Sequence, residues 1–255
     1  MLLAIDIGNT SVHFGVFEGE DLRATWRLGT DRERFPDEYA ILVLSLLRTA
    51  GIHASDIRDA VLVSTVPVLT QTFAELCKRY FKTPPLIVGS GVRTGIRILY
   101  DNPRDVGADR VTDAVAGLRL YGAPLIIVDC GTGTVFDAIS KEGDYLGGAI
   151  APGIGIAAEA LFERASKLYR VDLETPKTAI GKNPVHSMQS GIMYGYVGLV
   201  EGIVARFQRE LGGDARVVAT GGYAPMIAKE TPVIELVNPN LTLIGLRIIY
   251  EMNRP

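Results

Sequence analysis

The sequence is poor in residues that mark disulfide-bonded and metal-binding proteins. Two cysteines, Cys77 and Cys130, are too few among 255 residues for a disulfide framework and lack metal-site spacing. They are typical of reduced, buried thiols in a cytoplasmic protein. The three histidines are well separated and have no cluster of thiols or carboxylates beside them, so they favour surface or packing roles over a metal site.

The sequence also lacks a charge surplus and a long hydrophobic run. The 26 Lys and Arg against 29 Asp and Glu leave a net charge of −3, so DNA or RNA is not the expected partner. The longest apolar stretch, residues 191–200, is too short to cross a bilayer, and the first residues lack the basic region of a signal peptide. With 47% hydrophobic residues, we expect a soluble globular protein with no membrane partner and one or two domains.

A strand–turn–strand pattern occurs twice, 123 residues apart. Each copy is an apolar strand that ends in an aspartate, then a glycine turn, then a second apolar strand. The copies align without a gap, so Asp6 falls on Asp129 and Gly8 on Gly131. This self-similarity indicates an internal duplication.

Strand-like and helix-like segments alternate around both copies, which predicts an α/β architecture. The expected helices cover residues 38–50, 69–81, 107–121, 158–164, 185–211 and 241–253. The expected strands outside the copies cover residues 60–66, 86–88 and 215–220. The boundary is placed just before Leu125, which gives domains 1–122 and 123–255.

The two turns carry groups that suit a polyphosphate. Glycine lets the backbone approach an anion closely, and successive N–H groups of a turn can donate to phosphate oxygens. Asn9, Thr10, Thr132 and Thr134 add side-chain donors, and an aspartate at the strand end can hold hydrated Mg²⁺. Ordinary β-turns use the same residue types. The occurrence of both turns at matching positions favours the phosphate interpretation.

A third element is the strand Val217–Thr220, which leads to Gly221 and Gly222, where a base or ribose could lie against bare backbone. No Walker sequence occurs, so a P-loop kinase is not expected. Asp-x-Gly-Asn-Thr, Asp-x-Gly-Thr and Thr-Gly-Gly resemble the two phosphate motifs and the adenosine motif of the actin, Hsp70 and sugar-kinase superfamily. This resemblance implies two duplicated ribonuclease H-like (actin-like ATPase) domains, each a mixed sheet flanked by helices.

Further motifs narrow the resemblance to one family. They are Val63-Ser64-Thr65-Val66-Pro67, Tyr100-Asp101-Asn102-Pro103, Gly107-Ala108-Asp109-Arg110, Gly147 to Gly153, Met188-Gln189-Ser190-Gly191 and Leu241 to Leu246. Nearly the whole chain thus resembles type III pantothenate kinase. The resemblance implies ATP-dependent phosphorylation of pantothenate to 4′-phosphopantothenate, the first step of coenzyme A biosynthesis, by a cytoplasmic homodimer.

The resemblance also implies roles for individual residues. The implied ATP-binding residues are Asp6, Ile7, Gly8, Asn9, Thr10, Ser11, Val12, His13, Thr132, Gly221 and Gly222. The implied substrate-binding residues are Tyr100, Gly107, Ala108, Asp109, Arg110 and, at the position of a family threonine, Pro184. Asp109 is the implied general base, and Asp129 is implied to place a monovalent cation, K⁺ or NH₄⁺, beside the Mg²⁺ that accompanies ATP.

The residues alone leave two of these roles open. On the residues alone, Asp109 is better interpreted as a carboxylate favoured by the dipole at a helix start, and Asp105 and Asp113 are alternative bases. Asp129 alone does not distinguish K⁺ from Mg²⁺. Pro184 has neither a hydroxyl nor an N–H, so the contact made by the family threonine is lost or supplied otherwise, with Ser187 and Thr178 as candidates.

Small residues recur along the long expected helix. Its glycines are Gly191, Gly195, Gly198 and Gly202. Such a face predicts close helix packing, either inside one chain or between two copies. The dimer implied by the resemblance favours the second arrangement.

Three other functions compete with the kinase. Gly153–Ala158 matches the Gly-x-Gly-x-x-Ala pattern before a helix, with Glu174 about twenty residues on, as in a dinucleotide-binding oxidoreductase. A non-catalytic regulatory member of the same family would keep nucleotide binding without turnover. A kinase for another small alcohol, or a polyphosphate hydrolase, could use the same fold.

Overall fold

The structure, a computed structural model, describes residues 1–164, 168 and 170–254. It contains two compact units. The first unit comprises Met1–Ile96, Asp101–Ala116 and Asn240–Pro255. The second unit comprises Arg97–Tyr100 and Gly117–Pro239. The predicted domains 1–122 and 123–255 assign the closing helix to the second half, whereas here it belongs to the first unit.

The strands follow the two predicted copies closely. In chain order they are β1 (Leu2–Ile7), β2 (Ser11–Glu18), β3 (Asp21–Gly29), β4 (Asp59–Ser64), β5 (Leu86–Ile87), β6 (Leu125–Cys130), β7 (Gly133–Ile139), β8 (Tyr145–Pro152), β9 (Arg216–Thr220) and β10 (Leu236–Val237). The helices are α1 (Pro36–Thr49), α2 (Pro67–Leu76), α3 (Ala108–Tyr121), α4 (Ile154–Arg164), α5 (Pro184–Leu211), α6 (Ala224–Ile227) and α7 (Leu241–Met252). A π-helical turn, Cys77–Phe81, extends α2.

The two sheets have the same strand order, which confirms the predicted duplication. The first runs β3-β2-β1-β4-β5 and the second runs β8-β7-β6-β9-β10. In each sheet the first three strands are antiparallel and the last two lie parallel to the central strand. The mixed α/β fold implied by the superfamily resemblance is therefore confirmed for each unit.

The central strand β1 is buried on both faces, which explains its continuous apolar run. Leu3, Ile5 and Ile7 pack with α1 and α2 on one face. Leu2 and Ala4 face the other side, where they pack with apolar residues of α7. This packing places α7 in the first unit, because its apolar face covers β1, β2 and β4.

The second unit buries one face of its sheet under α5 and α6, with Ile126 and Val128 from β6 at the centre. Cys77 and Cys130 are both free and buried, one in each unit. Burial raises the pKa of each thiol to about 12, so both are protonated and unreactive at neutral pH. None of the helices in the described part of the chain combines the length and apolarity needed to span a bilayer.

Candidate active site

The first glycine turn joins β1 to β2 at the carboxyl end of the central strand. Asp6 is the second-last residue of β1 and is half-buried, whereas Asn9 and Thr10 are exposed at the turn. The Gly8 N–H donates to the Ser11 carbonyl at 3.0 Å, which closes the turn. Exposed amide and hydroxyl groups thus lie beside a carboxylate near the strand end, and groups of this kind can donate to an anion.

Side chains from outside the motif hold this turn. The Thr30 hydroxyl donates to the Gly8 carbonyl at 2.6 Å, and the Thr30 N–H donates to the Thr10 carbonyl at 3.0 Å. Arg32 Nη2 donates to Asn9 Oδ1 at 3.0 Å. No motif in the sequence points to Thr30 or Arg32, although their place directly after β3 brings them to the same edge of the sheet. Arg32 adds a cation to a turn that otherwise offers neutral donors.

The remaining residues of the first motif face inward. Ile7 and Val12 are fully buried, so they could reach a nucleotide only through backbone atoms. The Ile7 carbonyl already accepts hydrogen bonds from both the N–H and the hydroxyl of Thr65. These bonds give a structural role to the threonine of the Val63–Pro67 motif. His13 is 6% exposed, and burial together with the charge of Arg27 lowers its pKa to about 4. It is therefore neutral at physiological pH.

The second turn joins β6 to β7 in the second unit. The Gly131 N–H donates to the Gly133 carbonyl, and the Gly153 N–H donates to the Thr132 carbonyl, both at 3.1 Å. A Cβ on Gly153 would lie inside 3.0 Å of the carbonyl oxygens of Gly131 and Thr132, so backbone packs directly on backbone there. Thr132 is exposed. Thr134, by contrast, is fully buried, so its hydroxyl does not offer the predicted phosphate donor.

The third motif lies against the second turn. Gly221, at the end of β9, has φ +89, and a Cβ there would collide with Asp129 Oδ1 and the Cys130 backbone. The Tyr223 N–H donates to the Cys130 carbonyl at 3.0 Å, which ties the segment after β9 to the turn after β6. The structure thus brings together Asp129 and Gly221, which are far apart in the sequence.

The surroundings of Asp129 fit a cation held by oxygen atoms. Its half-buried carboxylate lies next to Gly221, where a Cβ would collide with both Asp129 Oδ1 and the carbonyl oxygen of Cys130. Oxygen ligands of this kind suit hard cations. No group of three or more His, Cys, Asp and Glu that could hold a metal occurs in the part of the chain that the structure describes. Side chains alone would therefore not complete a coordination shell.

The Gly107–Arg110 motif forms the start of α3. The Asp109 carboxylate folds back over Gly107, where a Cβ would collide with Oδ1. Thr112 lies one helical turn after Asp109. A Cβ on Gly245 of α7 would collide with the backbone and side chain of Thr112. Close contact between α7 and α3 therefore supports the turn that follows Asp109. This contact accounts for the glycine in the motif Leu241–Leu246.

The structure separates the three candidate carboxylates by environment. Asp109 and Arg110 are half-buried, while Asp105 is exposed and accepts from Asn102 Nδ2 at 2.8 Å. Asp113 is only 4% exposed, one turn farther along α3. Burial therefore sets Asp113 apart from Asp105 and Asp109, whose side chains are accessible to solvent.

Tyr100 belongs to the second unit, unlike the Gly107–Arg110 motif. Its side chain is 37% exposed, and a Cβ on Gly147 of β8 would lie 3.2 Å from its ring. Pro184 is the first residue of α5, a position where the missing N–H costs no helical hydrogen bond. Asn183 caps the helix by accepting from the His186 N–H at 2.9 Å. Pro184 therefore suits the local fold.

A groove of about 560 Å³ lies along α4 and α5. Pro184, Ser187, Gly191 and Gly195 line it together with apolar side chains. Thr178, the other candidate replacement for the lost threonine, already donates its hydroxyl to the Ile180 carbonyl at 3.2 Å. Of these two hydroxyl residues, Ser187 is thus the one that lines the groove.

The dinucleotide-binding alternative fails on topology. The Gly153–Ala158 pattern follows β8 and opens α4, but β8 is antiparallel to β7. A dinucleotide-binding unit needs a parallel βαβ arrangement at this point. The contacts of Gly153 are with the second glycine turn instead.

Comparison with known proteins identifies the family of this chain. The family model of type III pantothenate kinase matches residues 2–206. A type III pantothenate kinase of Dehalococcoides mccartyi (strain CBDB1) is 53% identical over 253 residues, covering 99% of this chain and 96% of the relative.

Two solved structures share the fold at low sequence identity. One is a Campylobacter jejuni protein described as a Baf family transcriptional activator, with TM-score 0.63, 16% identity and 98% coverage of both chains. The other is the polyphosphate/ATP-glucomannokinase of Arthrobacter sp. strain KM, with TM-score 0.51, 12% identity and 99% coverage of both chains. The family model and the close relative together show that this chain belongs to the type III pantothenate kinase family.

Proposed function

We propose that this kinase holds the phosphates of ATP on its two glycine turns and transfers the γ-phosphoryl group to pantothenate with Asp109 as general base. The observation that carries the proposal is the pair of Asp-x-Gly turns, each at the end of the central strand of its sheet. Asn9, Thr10 and Thr132 are exposed at these turns, as phosphate donors must be. Mg²⁺ bound with ATP neutralises charge on the phosphates during transfer.

In the proposed reaction the primary hydroxyl of pantothenate attacks the γ-phosphorus. The bond from the γ-phosphorus to the bridging oxygen of ADP breaks, and the hydroxyl proton passes to the Asp109 carboxylate. A positioned carboxylate suits this role because proton transfer in such loose transition states needs no strongly basic group. The products are ADP and 4′-phosphopantothenate.

The acceptor would be held by Arg110, Tyr100 and the backbone of Gly107 and Ala108. Arg110 can donate two parallel hydrogen bonds to the carboxylate of pantothenate, a geometry that lysine cannot copy. The exposed ring of Tyr100 offers an apolar face and a hydroxyl. Gly221 and Gly222 would accept the nucleoside against bare backbone.

We assign a monovalent cation, K⁺ or NH₄⁺, to the oxygen atoms around Asp129. The bound cation would supply positive charge beside the phosphates. The support is the half-buried Asp129 carboxylate with the Gly221 backbone packed against it. This backbone packing explains why Gly221 cannot carry a side chain.

We further infer a homodimer formed through the glycine face of α5, in the cytoplasm. A Cβ on Gly191, Gly195 or Gly198 would meet no atom within 4 Å among the described residues, so this face is not packed inside the chain. The adjoining groove is apolar, as a surface covered by a second copy would be. The free, buried cysteines support a reducing compartment.

Sedimentation of a Gly195→Leu variant tests the dimer. The new side chain has room within one chain but would obstruct a second copy, so we expect a shift toward monomer at unchanged thermal stability. Gly89→Leu, at an exposed glycine with open surroundings in the first unit, is the control. Identical sedimentation of the wild-type protein and both variants would refute this interface.

The reaction is tested by ADP release from ATP with and without pantothenate, in K⁺ and in Na⁺ buffer. We expect pantothenate-dependent release that requires K⁺, and a loss of about 10²- to 10⁴-fold in kcat for Asp109→Asn. Asp105→Asn, in the exposed loop before α3, is the matched control and should keep near wild-type kcat. ADP release that does not depend on pantothenate, or full activity of the Asp109→Asn variant, would contradict the proposal.

A further inference from the structure

The segment Arg97–Tyr100 is attached to the second unit although the chain on both sides of it belongs to the first. We propose that an ion pair between Arg97 and Asp144, with the backbone pairing around Tyr145, forms a clamp that positions Tyr100 for pantothenate. Arg97 is then a positioning residue that acts through Tyr100. The inference rests on the proposed function and adds determinants of acceptor affinity to it.

The first part of the clamp is backbone pairing at a sheet edge. Ile98 forms a parallel bridge with Tyr145, at the start of the edge strand β8. The Leu99 N–H donates to the Tyr145 carbonyl at 2.8 Å, and the Tyr145 N–H donates to the Arg97 carbonyl at 2.9 Å. The segment that ends in Tyr100 therefore continues the second sheet by a short stretch of added strand.

The second part is a two-pronged ion pair. Arg97 Nε donates to Asp144 Oδ1 at 2.9 Å, and Nη2 donates to Oδ2. The hydrogen bond from Arg97 holds the pKa of Asp144 below its ordinary value, so the pair stays charged. Asp144 is 8% exposed and is itself fixed, because its carbonyl accepts from the Ser140 N–H at 2.8 Å. A bidentate arginine–carboxylate pair fixes direction as well as distance.

The third part anchors Tyr145 itself. Its side chain is fully buried, and its hydroxyl donates to Asp137 Oδ1 at 2.7 Å. Asp137 is 1% exposed in the neighbouring strand β7. A buried hydroxyl–carboxylate hydrogen bond resists rotation of the ring, so the backbone that pairs with Arg97 and Leu99 is rigidly held.

The last part of the clamp is the surface of β8 against which the Tyr100 ring packs. The register of β7 and β8 shifts between Ala138 and Ile139, a bulge that re-aims the strand next to Tyr100. Gly147 follows with φ +128, and a Cβ there would lie 3.2 and 3.3 Å from two ring carbons of Tyr100. The ring rests on glycine backbone, so a side chain at this position would displace it.

These contacts fix both ends of the short path from Arg97 to the phenol ring. A pre-positioned ring loses little freedom when the acceptor binds, whereas a released ring would have to be ordered at that moment. ATP does not depend on Tyr100 in the proposed function. Loosening the clamp should therefore weaken the binding of pantothenate and leave the binding of ATP unchanged.

Steady-state kinetics of Arg97→Gln, Asp144→Asn and the double variant test this. We expect each to raise the KM for pantothenate about threefold to tenfold, the penalty for ordering one more side chain on binding. The KM for ATP should stay within about twofold, and the double variant should equal the single ones because both break one pair. Arg216→Gln, which disturbs an exposed pair with Glu235 in the same unit, is the control and should change neither KM.

A Tyr100→Ala background separates positioning from general stability. If Arg97 acts through Tyr100, Arg97→Gln adds nothing to the KM of Tyr100→Ala. An unchanged pantothenate KM in active Arg97→Gln would overturn the clamp, as would a parallel rise of both KM values or a full additional loss in the Tyr100→Ala background. If Arg97→Gln does not fold, Asp144→Asn gives the same comparisons. Failure of the wild-type protein to phosphorylate pantothenate would instead refute the proposed function, and the inference with it.

Discussion

The two glycine turns occupy equivalent places in sheets of identical strand order, but side chains add to the backbone support of the first turn, whereas backbone packing encloses the second. Side chains of Thr30 and Arg32 support the first turn. The second turn is enclosed by the backbone at Gly153 and Gly221, where a Cβ would collide. A turn supported by side chains can be adjusted by substitution, whereas a turn packed on backbone has one permitted shape. The duplicated halves thus differ in how they tolerate change.

The hairpins also differ by one residue. Ile7 pairs with Val12 across the first turn, but Cys130 pairs with Thr134 across the second, which is one residue shorter. As a result Asp6 faces His13, a titratable residue, and Asp129 faces Val135, an apolar one. A gapless sequence match therefore does not guarantee the same pairing.

The largest difference between the halves should appear when each strand-end aspartate becomes asparagine. We expect Asp6→Asn and Asp129→Asn each to lower kcat by about 100-fold or more, since each removes a carboxylate that would hold a cation beside the phosphates, and cations stabilise the charge of the transferring phosphoryl group. Only Asp129→Asn should lose the difference between K⁺ and Na⁺ buffers, because only Asp129 is assigned to the monovalent cation. Measuring kcat against K⁺ concentration checks this. Equal responses of the two variants to K⁺ would remove the functional distinction between the turns.

A second contrast concerns where the second turn can accommodate an added Cβ atom. Gly153→Ala forces a Cβ onto two carbonyl oxygens and should destabilise the protein by about 3 kcal/mol, the upper range for overpacking. Gly133→Ala is the matched control within the same turn, since its Cβ would meet its nearest atom at an ordinary 3.6 Å. Chemical denaturation of both variants gives the two values. Similar stability losses would show that the backbone contact at Gly153 relaxes readily.

The sequence predicted this duplication because the β1 and β6 patterns are short, apolar and closed by Asp-x-Gly. It did not predict β3, β8 or β10. The edge strand β3 alternates exposed and half-buried residues, and β10 has only two residues, so neither gives a strong apolar signal. The glycines of β8 were interpreted as part of a family motif, and they interrupt the apolar pattern typical of a strand, so β8 was not predicted.

The residues around the turns were harder to predict than the turns themselves. Thr30 and Arg32 reach the first turn through pairing of β3 with β2, which a local pattern cannot show. Arg97 and Asp144 meet across 47 residues, so nothing in the sequence links them. The roles of Asp109, Tyr100 and Pro184 came from family resemblance, and no spacing in the sequence gives them.

A third difference between the units is a pH dependence of stability that arises from His13 in the first unit. The folded state lowers the pKa of His13 from 6.5 to about 4, so between these values the unfolded chain binds more protons. Stability therefore falls as pH drops through this window, by about 2 kcal/mol at pH 5 from about 1.4 kcal/mol per pKa unit. His13→Val, which copies the residue opposite Asp129, should flatten that part of the curve.

Urea denaturation at pH 7.5 and pH 5 measures the effect of His13. The control His186→Val changes an exposed histidine and leaves His13 in place, so it should keep the wild-type difference between the two pH values. An unchanged pH difference in His13→Val would show that other groups set the acid sensitivity.

The smallest expected effect concerns the side-chain support of the first turn. Arg32→Gln removes a charged donor from Asn9 Oδ1, and an exposed hydrogen bond of this kind contributes about 1 kcal/mol or less. We expect the KM for ATP to rise about twofold to fivefold while the KM for pantothenate stays constant. Arg34→Gln, which loses an ion pair with Asp31 in the same loop and a cation–π contact with the Tyr39 ring but no contact with the first turn, is the control. Equal ATP KM values for both variants would mean that the first turn, like the second, is held mainly by its own backbone.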